Sequence, residues 1–436
     1  MLNFKPSITL SLTMLAASLT ANALDITDLK AGSLQSRVGD DLTAKSLTVS
    51  GTIDASDFAF IADQMSELTS IDLSATTVVA YSGEALPYTS LTISDAATLP
   101  RYAFVGMTNL TDVTLPASIT AIGTGAFSGT AIKTPILPES VTTIGDYAFM
   151  RCQQLSSLTV SSSVKSIGER AFAYCDRLST LKFGENSALT AISDGAFEGC
   201  SSLTDVDLQN LTRCTEIGAW SFAQCDGITT LKLPTVLRSM GTGALLADSS
   251  IKGIDLSSTD ITSLGDYALT GTSAVKNITL PSTLTAMGDG AMSDMTGLKV
   301  IYAEAISQLP ELGDEVWNGV NQANVVLVVA DDIAETVRAT AQWQDFNVMS
   351  VTEWERACTL PTIAENVDSL SYSLNGSELT LTTTSDAFTS VALFNTAGTR
   401  MAYVNANAQQ VTVNVSALQS GVYLVVTNRG IAKIAI

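Results

Sequence analysis

The apolar positions of this chain recur on a fixed schedule. Ile144 to Val160 reads IGDYAFMRCQQLSSLTV, and Ile167 to Phe183 reads IGERAFAYCDRLSTLKF, restoring Ile, Gly, Ala, Phe, Cys and two Leu in one order among different polar residues. The same anchor falls at Leu99, Ile122, Ile144, Ile167, Ile192, Ile217, Met240, Leu264 and Met287, with gaps of 22 to 25 residues. A sustained period in the low twenties predicts a solenoid in which every coil is one short supersecondary unit. Five residues after each anchor stands a large apolar residue: Phe104, Phe127, Phe149, Phe172, Phe197, Phe222, Leu245, Leu269 and Met292. Each follows an Ala, or in one coil Ser221. Stacking places these side chains in one interior column beside small neighbours, which fills the core without voids.

Each coil then carries L-x-x-L-x-L, as in LTDVTL (110–115), LSSLTV (155–160), LTDVDL (203–208), ITTLKL (228–233) and VKNITL (275–280). Its last three residues alternate in and out, so successive coils pair them into a parallel sheet on one face. Pro116, Pro138, Pro234 and Pro281 end these strands, since proline cannot continue a ladder. The Gly beside most anchors (Gly123, Gly145, Gly168, Gly218, Gly241, Gly265, Gly288) fits a tight corner with positive φ. The outward position of L-x-L reads Asp72, Thr92, Thr114, Ile136, Thr159, Lys182, Asp207, Lys232, Asp255, Thr279 and Tyr302. In register, Lys182, Asp207, Lys232 and Asp255 alternate in sign across adjacent strands. That pattern reads either as register support on a solvated face or as a polar binding stripe. With Lys252, Lys276, Lys299 and Tyr302 nearby, these residues form the candidate binding face.

After 360–369 the rhythm changes. ELTLTT (378–383), SVALFN (390–395), RMAYVN (400–405), QVTVNV (410–415) and VYLVVTN (422–428) alternate between turn residues and predict a small antiparallel β-sandwich. At the other end, a basic start MLNFKP, an apolar run and the small-residue site Ala21-Asn22-Ala23 read as a secretory signal cleaved after Ala23. No later run is long and apolar enough to span a bilayer.

Composition narrows the chemistry. With 22 basic and 43 acidic residues the formal charge is −21, which repels phosphate backbones and argues against nucleic acid as a partner. The chain has no histidine, so Ser–His and Cys–His nucleophiles and imidazole metal ligands are absent. There is no Gly-rich phosphate loop, metal-ligand cluster or acid pair spaced for hydrolysis, so no catalytic, metal or cofactor residue is assigned. Cys152, Cys175, Cys200 and Cys225 share one repeat position. They could be a metal or disulfide column, but the plainer reading is a row of buried thiols serving as small apolar residues. Cys214 reads as core, and Cys358 falls in a linker where its thiol is accessible.

The pattern C-x-x-L-x-x-L-x-L followed by I-G-x-x-A-F resembles the BspA-type leucine-rich repeats of bacterial surface proteins, over roughly residues 45–350. It carries Ala-Phe and lacks the Asn ladder of the common leucine-rich consensus. Residues 47–76 resemble the N-terminal cap of such arrays, and 325–351 resemble their closing strand and helix, with Trp343 and Phe346 sealing the last coil. The run from VALFN to the terminus resembles the C-terminal sorting domain of the type IX secretion system, in Gly398, Leu418, Gly421, Val422, Tyr423, Leu424, Val425 and Lys433. The expected organisation is a signal peptide (1–23), N-terminal cap (24–76), leucine-rich repeat solenoid (77–308), C-terminal cap (309–352), linker (353–370) and sorting β-sandwich (371–436). The resemblance implies export by the type IX machinery to the outer-membrane surface or beyond. It also implies a non-enzymatic, adhesin-like role toward an extracellular protein or glycan of a host or neighbouring bacterium. A self-associating structural component of the surface is the alternative.

Overall fold

In a computed structural model of the chain, the described residues are 22–83, 95–359, 370–375, 377–383, 387–395, 400–418, 422–427 and 430–435. The signal segment therefore lies almost wholly outside them. The chain divides into two compact units, Met1–Leu178 and Ser179–Ile436. The fold class is a parallel-strand β-solenoid followed by a small antiparallel sandwich, as the repeat and the C-terminal rhythm predict.

The first unit opens with strand Ala23–Leu29, helix Leu34–Val38, strand Ser46–Ile53, helix Ala55–Gln64 and strand Ser70–Val78. The longer helix starts at a capping box. The Asp54 carboxylate accepts from the Ser56 N–H at 2.9 Å, and Asp57 accepts from the Asp54 N–H at 3.2 Å. Asp57 also receives the Gly32 and Leu34 N–H groups at 2.8 and 2.9 Å, so one buried carboxylate pins the first loop to the helix. Burial still raises its pKa against those three bonds. Three strands of this cap and Asp112–Thr114 form one parallel sheet, with Asp72 directly opposite Thr114. The sequence had placed Thr92 between them; residues 84–94 lie outside the described set, and no strand intervenes.

Most coils contribute to two ladders, of which the sequence revealed one. The second consists of two-residue strands at the anchors: Thr98–Leu99, Ala121–Ile122, Thr143–Ile144 and Ser166–Ile167 in the first unit. In the second unit it runs through six strands from Ala191–Ile192 to Glu311–Leu312. Leu312 is thus a further anchor. Gly313 and Trp317 follow it at the repeat spacing, so the coils continue past residue 308.

The predicted aromatic column is present. Ring centroids lie 5.3 Å apart for Phe104 and Phe127, 4.8 Å for Phe127 and Phe149, and 5.1 Å for Phe149 and Phe172. Phe58 of the cap helix closes it edge-on at 5.7 Å. In the second unit Phe197 stacks on Phe222 at 5.3 Å. Farther along, Trp317 lies edge-on to Trp343 at 5.4 Å and to Phe346 at 4.9 Å, a seal that buries all three rings. The small residue before each Phe has a backbone reason as well as a packing one: the Phe127 N–H donates to the Ala148 carbonyl at 2.7 Å, and the Phe149 N–H to the Ala171 carbonyl at 2.7 Å. Coils that exchange bonds here leave room for little beyond a methyl group.

The corner glycines require a correction. Gly123, Gly145 and Gly241 do not have positive φ. Their constraint is proximity: a Cβ would lie 2.5 Å from the Leu99 carbonyl oxygen, 2.8 Å from the Thr124 nitrogen and 2.5 Å from the Ala219 nitrogen respectively. Left-handed backbone falls instead three residues after the anchor, at Tyr102, Gly125, Tyr147, Arg170, Gly195, Trp220, Gly243, Tyr267, Gly290 and Glu315. At several of these corners an aromatic ring fills the space over the next coil's glycine, as Tyr102 does over Gly125 and Trp220 over Gly243.

The second unit also holds the C-terminal sandwich. Leu370–Asn375, Glu378–Thr383 and Gln410–Asn414 form one antiparallel sheet, and Arg400–Ala408, Phe388–Asn395, Val422–Thr427 and Gly430–Ala435 the other. The first and last of these strands were not foreseen. Leu379, Leu381, Val391, Leu393, Val411, Val413, Tyr423 and Val425 fill the space between the sheets. Residues 353–359, expected as linker, belong to helix Val351–Thr359. Its start is fixed by a reciprocal cap in which the Ser350 N–H donates to Glu353 at 2.7 Å and the Glu353 N–H to the Ser350 hydroxyl at 3.3 Å.

Candidate functional site

The candidate face lies in the second unit, on the outer side of the L-x-L strands. Inward residues Val206, Leu231, Ile254 and Ile278 are buried, while Lys182, Asp207, Lys232 and Asp255 stand exposed between them, as the alternation requires. Only part of the charge alternation becomes contact. Asp207 pairs with Lys232 in strand register and accepts from its Nζ at 2.8 Å. Burial works against the Asp207 carboxylate, yet the Lys232 bond, the Gln209 N–H and the Lys232 charge hold its pKa below the ordinary value. The same bond raises the Lys232 pKa. Asp255 faces elsewhere: its Oδ1 accepts the Ser257 N–H at 2.9 Å and hydroxyl at 2.6 Å, closing a local turn. Lys182 makes no ion pair among the described residues. Strand pairing explains the difference, since Asp205–Asp207 and Thr230–Lys232 are a two-stranded sheet of their own and Ile254–Asp255 begins the next.

Lys252, Lys276 and Lys299 occupy one position in three successive coils, just before the strand. The Lys299 N–H donates to the Lys276 carbonyl at 2.8 Å, so two of the three are joined through the backbone. Lys252 and Lys276 are exposed and Lys299 is half-buried. They form a basic column in a strongly acidic chain.

Tyr302 belongs to a different environment. Opposite it in register stands Val328, which in turn faces Met349, and beside this row are Val300 and Val326, so the outer face of the last coils turns apolar. That patch is covered. Ala392, Phe394, Leu424 and Val426, on the sandwich face away from its own core, pack against Val300, Val326, Val328 and Met349. Trp354 meets the Tyr302 ring edge-on at 6.2 Å, and Arg400 donates to the Ala323 carbonyl at 3.1 Å. The open face therefore ends before Tyr302. The unbroken apolar runs in VALFN and VYLVV carried this signal, because both faces of these strands are apolar, which a sandwich with one solvated face does not need.

Of the sorting residues, Tyr423 is buried in the sandwich core and Leu418 packs at its edge. Val422 and Lys433 lie in strands Val422–Thr427 and Gly430–Ala435, and Gly398 and Gly421 lie outside the described residues. The repeated cysteines are fully buried thiols outside any disulfide: Cys152, Cys175 and Cys225 direct theirs at the carbonyls of Phe127, Phe149 and Phe197 at 3.1 to 3.2 Å. Burial pushes the Cys152 and Cys214 thiols up to about 11 and Cys175 and Cys225 well above their ordinary value. The side chain of Cys358 lies outside the described residues. Among the described residues no cluster of His, Cys, Asp or Glu could hold a metal, and no helix is long and apolar enough to cross a membrane.

Sequence reading missed the acidic corner two residues after the anchor. Asp146 accepts the Glu169 N–H at 2.9 Å, Asp194 the Ala219 N–H at 2.7 Å, Asp266 the Asp289 N–H at 2.9 Å and Asp289 the Asp314 N–H at 2.8 Å. Each carboxylate caps the next coil.

A stacked parallel-strand repeat with an open polar face, followed by a terminal antiparallel sandwich, defines a leucine-rich repeat solenoid with an appended domain. The family comparison gives the same result: residues 76–204 and 190–322 match the BspA type leucine rich repeat region in six copies, and the chain belongs to that family. Residues 375–435 match the secretion system C-terminal sorting domain, which places the protein at the cell surface or in the extracellular space. No curated protein matches the sequence. Among solved structures, a leucine-rich repeat protein from Bacteroides ovatus is similar at 17% identity, over 69% of this chain and 87% of that one, with a TM-score of 0.33. A leucine rich cell surface protein from Faecalibacterium prausnitzii is similar at 17% identity, over 77% and 89%, with a TM-score of 0.34. The pneumococcal vaccine antigen PcpA is similar at 17% identity, over 67% and 63%, with a TM-score of 0.30.

Proposed function

We propose that the protein is a non-enzymatic, adhesin-like binding protein whose outer coil face contacts an extracellular protein or glycan of a host or a neighbouring bacterium. The observation that carries this reading is the exposed face of the second unit, where the Asp207–Lys232 pair and the Lys252, Lys276, Lys299 column stand on strands held rigid by the coils behind them. Solenoids offer extended surfaces of this kind, and their variable outward positions carry recognition. The absence of histidine from the whole chain supports a role without acid–base chemistry. Attachment of the purified protein to immobilised extracellular-matrix proteins and bacterial cells, compared with Lys252→Glu, Lys276→Glu and Lys299→Glu together, tests it. Attachment should fall at least several-fold in the triple variant, and undiminished attachment would refute the role of this face. Sedimentation separates it from self-association, which would give concentration-dependent oligomers instead of a monomer.

A further inference from the structure

The outer ladder of the first unit has a gap. Residues 132–137, IKTPIL, hold the place of an L-x-x-L-x-L segment, yet they form no strand. Pro135 sits where the neighbouring segments have Val113 and Leu158. In a paired coil the residue at that place and the one two further on donate to the next strand: the Leu208 N–H, for example, reaches the Lys232 carbonyl at 2.9 Å. Proline has no N–H to give. The bond equivalent to Leu208–Lys232, from Leu137 to Thr159, is also missing, although the coils are still joined just before the gap by the Ser156 N–H and the Lys133 carbonyl at 2.9 Å. The ladder thus opens for a few residues, and strand Ser157–Val160 keeps an unpaired stretch of main chain at Thr159.

A cavity of about 310 Å³ occupies the gap, lined by Pro135, Ile136, Glu139, Ser157, Thr159 and Ser161 among others. Ile136, at the outward position, is 83% exposed, the most of any large hydrophobic side chain among the described residues. Glu139 adds a carboxylate to the lining, and Ser157 and Thr159 bring the edge of the neighbouring strand to it. The volume lies at the lower limit of small-ligand sites.

We propose that this notch binds an extended peptide of about three residues. The peptide main chain pairs with the free C=O and N–H of Thr159, as in strand addition to a sheet edge. A lysine or arginine of the peptide meets the Glu139 carboxylate, which lines the cavity. Ile136 covers the aliphatic part. The chemistry favours peptide over saccharide: the cavity lining includes no aromatic ring, carboxamide or guanidinium to hold a sugar, whereas an interrupted ladder is matched by another strand. The inference goes beyond the adhesin reading, which rests on lysines of the second unit, and the two are tested by different variants.

The test is an array of immobilised pentapeptides varied at their three central positions, probed with the labelled protein beside a glycan array. Bound peptides should share a central Lys or Arg flanked by β-branched residues. N-methylation of their central amides should weaken binding about tenfold, equivalent to one lost hydrogen bond. Pro135→Val, which restores the missing donor and lets the ladder close, should abolish binding while the melting temperature holds or rises. Glu139→Gln should weaken binding of the Lys and Arg peptides with the circular dichroism spectrum unchanged. No peptide bound above background, preference for glycans, or equal binding by both variants would overturn the proposal. Array binding that persists in the triple lysine variant, where attachment is lost, would show the notch acting apart from the basic column.

Discussion

Asp248 offers the sharpest test of the packing. It holds the position that Cys152, Cys175, Cys200 and Cys225 hold in other coils, and it is completely buried. One oxygen accepts the Cys225 N–H at 2.7 Å, and the other has no partner. Burial pushes its pKa up to about 8, opposed by the Cys225 bond and helped by the Asp226 charge. The carboxyl is therefore neutral in the folded protein at pH 7 and ionised in the unfolded chain. A folded pKa above the unfolded one gives stability that is complete below about pH 4 and declines as pH rises toward 8. The loss runs at about 1.4 kcal/mol per pH unit and amounts to about 4 kcal/mol at pH 7. Asp248→Asn keeps the acceptor for Cys225 and removes the titration. Urea unfolding followed by fluorescence is a direct assay, because all four tryptophans, Trp220, Trp317, Trp343 and Trp354, lie in the same unit as Asp248. The stability gap between variant and parent should be near zero at pH 4, widen to pH 8 in favour of Asn, and then level off. A gap that stays constant across this range, or narrows as pH rises, would refute a neutral buried carboxyl.

Other residues give further tests. Phe149→Ala leaves a hole between two stacked rings and should cost about 3–5 kcal/mol in chemical denaturation. Gly145→Ala should destabilise by about 1–3 kcal/mol, because its methyl would press on the Thr124 nitrogen and Ile122 carbonyl of the coil before. Iodoacetamide at pH 8 should leave Cys152, Cys175, Cys200, Cys214 and Cys225 unmodified in the native protein and label all five in urea, as read by mass spectrometry. Deletion of residues 370–436 should hold the protein in the periplasm, which cell fractionation will show.

The interior was legible because each coil repeats one burial problem. Phe104 through Phe222, the preceding Ala residues and the alternating L-x-L could be placed from spacing alone, since only inward positions are constrained to repeat. Variation at those positions was harder to follow. The coil around Leu312 escaped because Val316 and Trp317 replace Ala and Phe, although Leu-Gly stands at the right interval. Gly145 was identified as constrained but for a different cause, because sequence does not distinguish a positive φ from a backbone that approaches too closely. The binding face was legible only as a set of outward positions. Whether Lys232 meets Asp207, or Asp255 turns to Ser257, depends on where the strand ladder breaks, and those breaks leave little mark in the spacing. The notch at Pro135 did leave a mark, a proline where a donor is needed. Its meaning came from Thr159, 24 residues further along the chain than Pro135, which lines the same cavity.

The sandwich resting on the last coils has a consequence for processing. Phe394 and Val426 are pressed against Val326 and Val328, so cutting the connecting peptide at 360–369 severs the chain without separating the two bodies. A nicked molecule stays whole until that greasy seam is pulled apart, and a protease alone does not decide when the export module departs.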